Sequence, residues 1–300
     1  MGKRSPCLTI LTPTYNRYKY LQKLFDSLCE QTCMDFQWLV IDDGSSDRTE
    51  DYFKNIKHNV FNIDYYKKDN GGKHTALNFS HPFIKGELVI IVDSDDVLSK
   101  DAVATVLHDW ERYKYKSSIG VISYLRGDML THKSLARSNA PDGYISDHIA
   151  YRINRNIRGD MAEVVRTDVF KSYNFPVFSS ERMVSEEWLW NHIAMRYKTV
   201  YRQKVIYYCE YIEGGLTKSG RKLLMNNPLG QMEACKSYFV NTVSTRMQIK
   251  KMLLYCVYGL CSKKNIKDVL LESGRPFRIL LTFPLGWILF CYWRRKYFHE

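Results

Sequence analysis

The sequence predicts an α/β fold: a mixed, mainly parallel sheet flanked by helices and followed by a helical C-terminal extension. Three observations carry this expectation. The first half alternates strand-like and helix-like patterns, the mark of successive βαβ units. The run from Glu87 to Val92 is almost continuously apolar and β-branched, as in a strand covered on both faces. That run ends in Asp93-Ser94-Asp95-Asp96, at the rim where open α/β sheets bind ligands. Carboxylates so crowded repel unless a cation or basic partner neutralises them, and a hard divalent ion shared with substrate phosphates does so economically. The plain alternative is an acidic loop before a helix capped by Ser99.

Taken in order, residues 7–11 read as a first strand, and 17–31 as a helix with Tyr18, Leu21, Phe25 and Leu28 on one stripe. Residues 37–41 form a second strand closed by Asp42-Asp43-Gly44, then a helix is expected over 47–57 and a third strand over 60–66. Gly71-Gly72 breaks the chain before a short helix carrying Ala76 and Leu77. After the acidic tip come a helix over 99–113 and a strand over 119–125. From Arg126 to Arg158 the pattern dissolves into Ser, Asn, Asp and Gly, as in a substrate-facing excursion. Order returns with a strand at 161–166, a helix at 186–197 and a strand at 199–208, and beyond Glu210 the chain is helical and basic.

Three hundred residues can bury a full core. A 45% hydrophobic and 25% charged composition is that of a globular protein. The net charge of +12 favours anionic partners: nucleic acid, phosphorylated substrates or an anionic membrane surface. Eight cysteines without a CxxC pair or a completing histidine make no zinc set, and read as reduced, buried thiols of a cytoplasmic protein. The N-terminus enters a strand pattern at once, without the pattern of a cleavable signal peptide. Near the other end, Ile279–Trp293 is apolar save Thr282 and flanked by Arg275, Arg278, Arg294, Arg295 and Lys296. Its fifteen residues fall short of the roughly 20 that cross a bilayer. Two tryptophans and basic flanks suit an interfacial segment over 276–296 on anionic lipid; a core helix or dimer face is the other reading.

Four loops recur at strand ends: Pro13-Thr14-Tyr15-Asn16-Arg17, Asp42-Asp43-Gly44-Ser45-Ser46-Asp47, Asn70-Gly71-Gly72-Lys73 and Asp93-Ser94-Asp95-Asp96. In a parallel sheet these ends share one edge, so the loops converge. Each offers something a sugar nucleotide needs. Tyr15 can stack on a base and Asp43 can accept from a base N–H. Asp93 can take ribose hydroxyls, a cation at Asp95 can hold the diphosphate, and Lys73 adds positive charge. Gly71 and Gly72 permit close backbone approach.

The set Pro-x-Tyr-Asn-Arg, Asp-Asp-Gly-Ser-x-Asp, Asn-x-Gly followed by Ala76 and Asn78, and Asp-x-Asp-Asp resembles, in order and spacing, an inverting family 2 glycosyltransferase with the GT-A fold. The likeness covers about residues 6–215. It implies a catalytic domain over 1–217, with a nucleotide-sugar half to about 125 and an acceptor half beyond, and a basic helical region over 218–300. It implies a nucleotide-sugar site of Pro13, Tyr15, Arg17, Asp42, Asp43, Asn70, Gly71, Lys73, Asp93 and Ser94, with Pro13, Tyr15 and Asp43 about a uracil. It further implies Mn²⁺ or Mg²⁺ at Asp95 with Asp93. Gly159-Asp160-Met161 and Glu210–Thr217 resemble segments of enzymes that build capsule or other surface polysaccharides. The implied partners are a UDP-sugar, a glycan or lipid-linked oligosaccharide acceptor and the inner membrane surface.

Inverting transfer needs a base for the acceptor hydroxyl. Ser185-Glu186-Glu187-Trp188 stands where the family carries a Glu-Asp pair, and Glu187 aligns with the catalytic Asp, with Glu186 as neighbour or replacement. Two glutamates in a first helical turn also simply complement the helix dipole, at roughly 0.3–1 kcal/mol each. Trp188 can bind an acceptor sugar or pack, and Asp160 can touch a sugar or serve a turn after Gly159. His74, His81 and His192 are assigned no role. A nucleic-acid module is disfavoured because acidic loops at the rim would repel phosphate backbones. A non-catalytic membrane scaffold would not need so many carboxylates.

Overall fold

The computed structural model describes residues 6–209 and 216–298. Most of the segment Glu210–Thr217 therefore lies outside the described residues. Strands β1 (Leu8–Thr14), β2 (Phe36–Asp42), β3 (Asn62–Lys67) and β4 (Leu88–Ile91) run parallel in the order β3-β2-β1-β4. β5 (Val97–Leu98) follows the acidic tip, and β6 (Ile119–Asp128), β7 (Tyr144–Ser146), β8 (Met161–Arg166) and β9 (Lys198–Cys209) complete the sheet. β8 lies antiparallel between β4 and β6, β9 runs parallel to β6, and β5 and β7 pair antiparallel with the two ends of β9.

The two faces are covered by different helices because alternate strand residues point to opposite sides. Leu8, Ile10, Trp38, Val40 and Ile90 pack against α1 (Tyr18–Cys29), α2 (Thr49–Asn55) and, later in the chain, α4 (Ala102–Tyr113). Leu11, Leu39, Ile41, Val89 and Ile91 pack against α3 (Lys73–Ser80), α5 (Thr167–Lys171) and α6 (Glu187–Ala194). On α1 the buried side chains are Leu21, Leu24 and Leu28, each fully covered and worth about 1.5–3 kcal/mol. Tyr18 and Phe25 of the expected stripe stay half-buried.

Beyond the sheet lie α7 (Leu216–Met225), α8 (Pro228–Lys236), α9 (Thr245–Cys261), α10 (Ile266–Glu272) and α11 (Pro276–Phe298). They enclose a separate core around Met252, Tyr255, Cys256, Ile279 and Trp293, which Ile149 and Ile153 tie to the sheet.

Three expectations change. The excursion after Arg126 is partly core: β6 continues to Asp128, and Tyr151, fully buried, packs on Tyr201 with ring centroids 4.4 Å apart. Ser99 does not cap α4; its hydroxyl donates to Asp101 Oδ1 at 2.8 Å and the helix starts at Ala102. The helix that carries the fifteen-residue apolar run extends beyond it at both ends: α11 runs 23 residues through Pro284 and, among the described residues, is the one helix long and apolar enough to cross a membrane. None of the eight cysteines forms a disulfide; Cys209, Cys235 and Cys256 are buried, whereas Cys29 and Cys291 are exposed, against the expectation of buried thiols.

Candidate active site

The carboxyl ends of β1 to β4 share one edge, and side chains knit their loops together. Asn16, at φ 52°, donates its amide to Ser45 Oγ at 2.8 Å and accepts from Ser46 N at 2.8 Å. Asp47 accepts from Tyr18 N at 3.0 Å. Asp43 is 3% exposed and its carboxylate is saturated: Oδ1 accepts from Gly71 N at 3.0 Å and Lys68 Nζ at 2.7 Å, Oδ2 from Gly72 N at 2.7 Å. Gly72 sits at φ 93°, where an added Cβ would run into the Arg182 carbonyl. Only glycine suits both demands.

The acidic tip meets a cationic ring. Lys73 Nζ lies 2.5 Å from Asp93 Oδ1 and 2.7 Å from Glu186 Oε1, bridging the tip to the start of α6. Beneath, the Tyr207 hydroxyl donates to Asp96 Oδ2 at 2.6 Å and accepts from Asp93 N at 3.1 Å. The Arg126 guanidinium stacks 4.2 Å from the Tyr207 ring centroid. Burial works upward on Asp93, but Lys73, Arg126 and Arg17 hold its carboxyl below the usual range. Asp95 goes the other way, raised by burial and by the Asp93 charge, with Arg17 Nη1 4.0 Å away. Burial and Asp93 push Asp96 up to about 7. The tip thus remains short of positive charge at Asp95. Among the described residues no three acidic, imidazole or thiol groups gather on one point. A hard cation here would therefore need phosphate oxygens to complete its shell, a chemistry that the two carboxylates Asp93 and Asp95 suit.

The structure sorts the expected residues. Pro13, Tyr15, Arg17, Asn70, Gly71, Lys73, Asp93, Ser94 and Asp95 all border the loop edge, with Tyr15 49% exposed and free to receive a ring. Asp42 and Asp43 do not offer an open acceptor to a base. Asp42 is fully buried, accepting from Ser45 N at 2.8 Å and Tyr65 OH at 2.6 Å, and Asp43 organises the glycine loop. Their charges are spent on backbone and side-chain donors of the β2–α2 turn and of the glycine loop. Trp188 packs against Phe175 at 5.3 Å and His192 at 4.2 Å, and Asp160 is exposed after Gly159.

The two glutamates part company. Glu186 faces Lys73, whereas Glu187 Oε2 pairs with Lys251 Nζ of α9 at 2.6 Å. Burial would raise Glu187, but Lys251 holds it below the usual carboxylate range. Residues one apart on a helix point about 100° apart, so one of the pair had to turn away. The geometry favours Glu186, not Glu187, as the carboxylate facing the acidic tip.

Arg126, Tyr207, Lys68 and Glu163 were not anticipated. Glu163 carried a signal, being a lone acid within the apolar strand 161–166; burial pushes it up to about 7. Arg126, at the end of a strand, carried none apart from its position.

The model of "Glycosyl transferase family 2" matches residues 9–180. Chondroitin synthase of Pasteurella multocida strain Pm70 is 29% identical over 61% of this chain and 15% of its own length. Hyaluronan synthase of Pasteurella multocida is likewise 29% identical over 61% of this chain. This chain thus spans a small part of those relatives. Among solved structures, S. aureus TarS in complex with UDP-GlcNAc superposes with a TM-score of 0.63 at 19% identity, over 93% of this chain and 81% of that one. The Pyrobaculum calidifontis mannosyltransferase in complex with GDP-Man and Mn²⁺ gives 0.60 at 15% identity, over 99% of this chain and 89% of that one. These likenesses bear out the GT-A architecture, and with the family model matching more than half of its length, the chain belongs to glycosyl transferase family 2.

Proposed function

We propose that the protein transfers a sugar from a UDP-sugar to a hydroxyl of a surface polysaccharide, inverting the anomeric carbon. The observation that carries this reading is the Asp93–Lys73–Glu186 bridge, which joins the acidic tip, the glycine loop and the start of α6 at one point. The complexes of related structures with UDP and UDP-GlcNAc support the donor class. The polysaccharide synthases among the relatives support the acceptor class.

In this reading Tyr15 stacks on the base, and Arg17 and Lys73 stand beside the diphosphate to neutralise charge as it leaves. Asp95 with Asp93 would hold Mn²⁺ or Mg²⁺, which supplies further charge neutralisation to the phosphates when bound. Glu186 takes the proton of the acceptor hydroxyl as that oxygen forms its bond to the anomeric carbon. The bond from that carbon to the phosphate oxygen breaks on the opposite face, and the nucleoside diphosphate departs with the bonding pair. Donor binding would draw Lys73 toward phosphate and release Glu186 from its ammonium.

The exposed face of α11 supports a surface location. Phe277, Leu281, Leu285, Trp287, Ile288 and Tyr292 are all more than half exposed, between arginines at both helix ends. The opposite stripe of Ile279, Gly286 and Trp293 is buried against the protein. A helix covered on one side and apolar on the other suits lying in the headgroup region of an anionic bilayer.

The test is donor turnover across a panel of activated sugars with Glu186→Gln, Glu187→Gln and Asp95→Asn. The expected outcome is a ~10²-fold or greater loss in kcat for Glu186→Gln and Asp95→Asn. Glu187→Gln, which weakens only the pair with Lys251, should lose far less, on the order of 10-fold. Full turnover in Glu186→Gln would remove it as the base, and absence of turnover with every donor in the parent protein would overturn the transferase reading itself.

A further inference from the structure

Six consecutive links hold the segment 181–187 between two bodies that the reaction does not obviously connect. At its start, Glu181 is only 6% exposed, and its two carboxylate oxygens accept from the first-turn amides of α8, Leu229 N at 2.7 Å and Gly230 N at 2.8 Å. Those amides have no partner within their own helix, and the positive end of the helix favours an acid there. The next residue bridges both sides: Arg182 N donates to Asn227 Oδ1 at 2.9 Å, and Arg182 Nη1 donates to Asn70 O at 3.1 Å. Two glycines admit its backbone, since a Cβ at Gly72 would strike the Arg182 carbonyl and one at Gly230 the Met183 carbonyl. At its end, Glu187 is tied to Lys251, whose side chain is 12% exposed and whose ammonium lies 4.0 Å from the Tyr238 ring centroid. Between these anchors stands Glu186, pointing back to Lys73.

We infer that Glu181 and Lys251 are positioning residues of the transfer reaction: they hold the 181–187 segment as a strap from the C-terminal helices to the glycine loop, and so aim Glu186 at Lys73 and Asp93. The inference rests on the reading of Glu186 as the base. It gives the C-terminal helices a role in catalysis besides attachment, because α8 and α9 supply both anchors. The pairing of Glu187 with Lys251 is then what turns its neighbour toward the donor edge. A misplacement of about 1 Å in a base costs on the order of 10²-fold in rate, so loss of either anchor is felt in turnover before it is felt in donor binding.

The experiment compares the full-length parent with Lys251→Met, Lys251→Arg and Glu181→Gln by two readouts. Amide hydrogen exchange of the unliganded proteins should quicken ~10-fold over 181–190 in Lys251→Met and Glu181→Gln, with β1 to β4 as protected as in the parent. Lys251→Arg, which keeps the charge, should restore protection. Steady-state turnover with the best UDP-sugar should lose ~10-fold or more in kcat in the same two variants, with donor KM within ~2-fold of the parent and recovery in Lys251→Arg. Unchanged exchange over 181–190, or unchanged kcat, in both variants overturns the inference. A joint collapse of β1–β4 protection and of KM would also overturn it, since the residues would then serve general stability. The exchange arm is independent of turnover: if Glu186→Gln proves active, the base assignment falls alone, while exchange still decides whether these anchors hold the strap.

Discussion

Gly72 concentrates several demands in one residue. Its φ of 93° lies in the left-handed region, its amide donates to Asp43 at 2.7 Å, and its α-carbon faces the Arg182 backbone without room for a methyl group. Gly72→Ala should therefore destabilise the fold by at least ~2 kcal/mol. Gly71→Ala has no positive φ and meets only side chains, Thr75 and the Lys68 ammonium, so it should cost well under half as much. Denaturant unfolding of both variants checks this, and equal costs would contradict it. His74, next along α3, is 2% exposed, and neither ring nitrogen has a hydrogen-bond partner. Burial lowers it from the usual imidazole range to about 4. Between that value and about 6.5 the unfolded chain binds a proton that the folded one refuses, so stability falls as pH drops through this window. The contribution of His74 is at most about 3 kcal/mol. In a comparison of unfolding at pH 7.5 and pH ~4.5, His74→Leu should flatten part of the decline. An unaltered slope would mean that His74 is protonated at no cost in the folded state.

At the scale of elements, the strands were the most legible part of the chain and the helix starts the least. The run at β4 could be read because strands covered on both faces need continuous apolar sequence. The stretch beyond β6 was harder to read: Tyr144 and Tyr151 look like surface aromatics among polar residues, and only contact with Tyr201 makes Tyr151 core, with Tyr144 half-buried against it. α11 carries its own prediction. Leu281 and Trp287 are 79% and 54% exposed, so Leu281→Glu with Trp287→Glu should leave thermal unfolding nearly unchanged. Binding to vesicles of anionic lipid should fall by ~10-fold or more, because each large apolar side chain moved out of water is worth about 1.5–3 kcal/mol when fully covered. Sedimentation with such vesicles measures it. Undiminished binding would assign that face to another partner, such as a second copy of the chain.

At the scale of the molecule, a basic exterior surrounds an acidic point. The formal charge of +12 and the crowding of Asp93, Asp95 and Asp96 at one strand end have opposite signs. In the proposed function the one would draw a diphosphate and the other would anchor it through a cation. The sequence by itself determined the parallel α/β architecture, the convergence of four loops on one sheet edge and the carboxylates there. Each of these follows from local periodicity and from the rule that parallel strands end on one side. Only the tertiary structure decided which carboxylates remain open: Asp42 and Asp43 are consumed by backbone donors, and Glu186 and Glu187 point to opposite bodies. It also alone revealed the strap that connects the C-terminal helices to the site. The reason is physical. Secondary structure is written in neighbours a few residues apart, whereas the availability of a charge depends on partners such as Lys73, Lys251 and Arg182, brought near by packing from far along the chain.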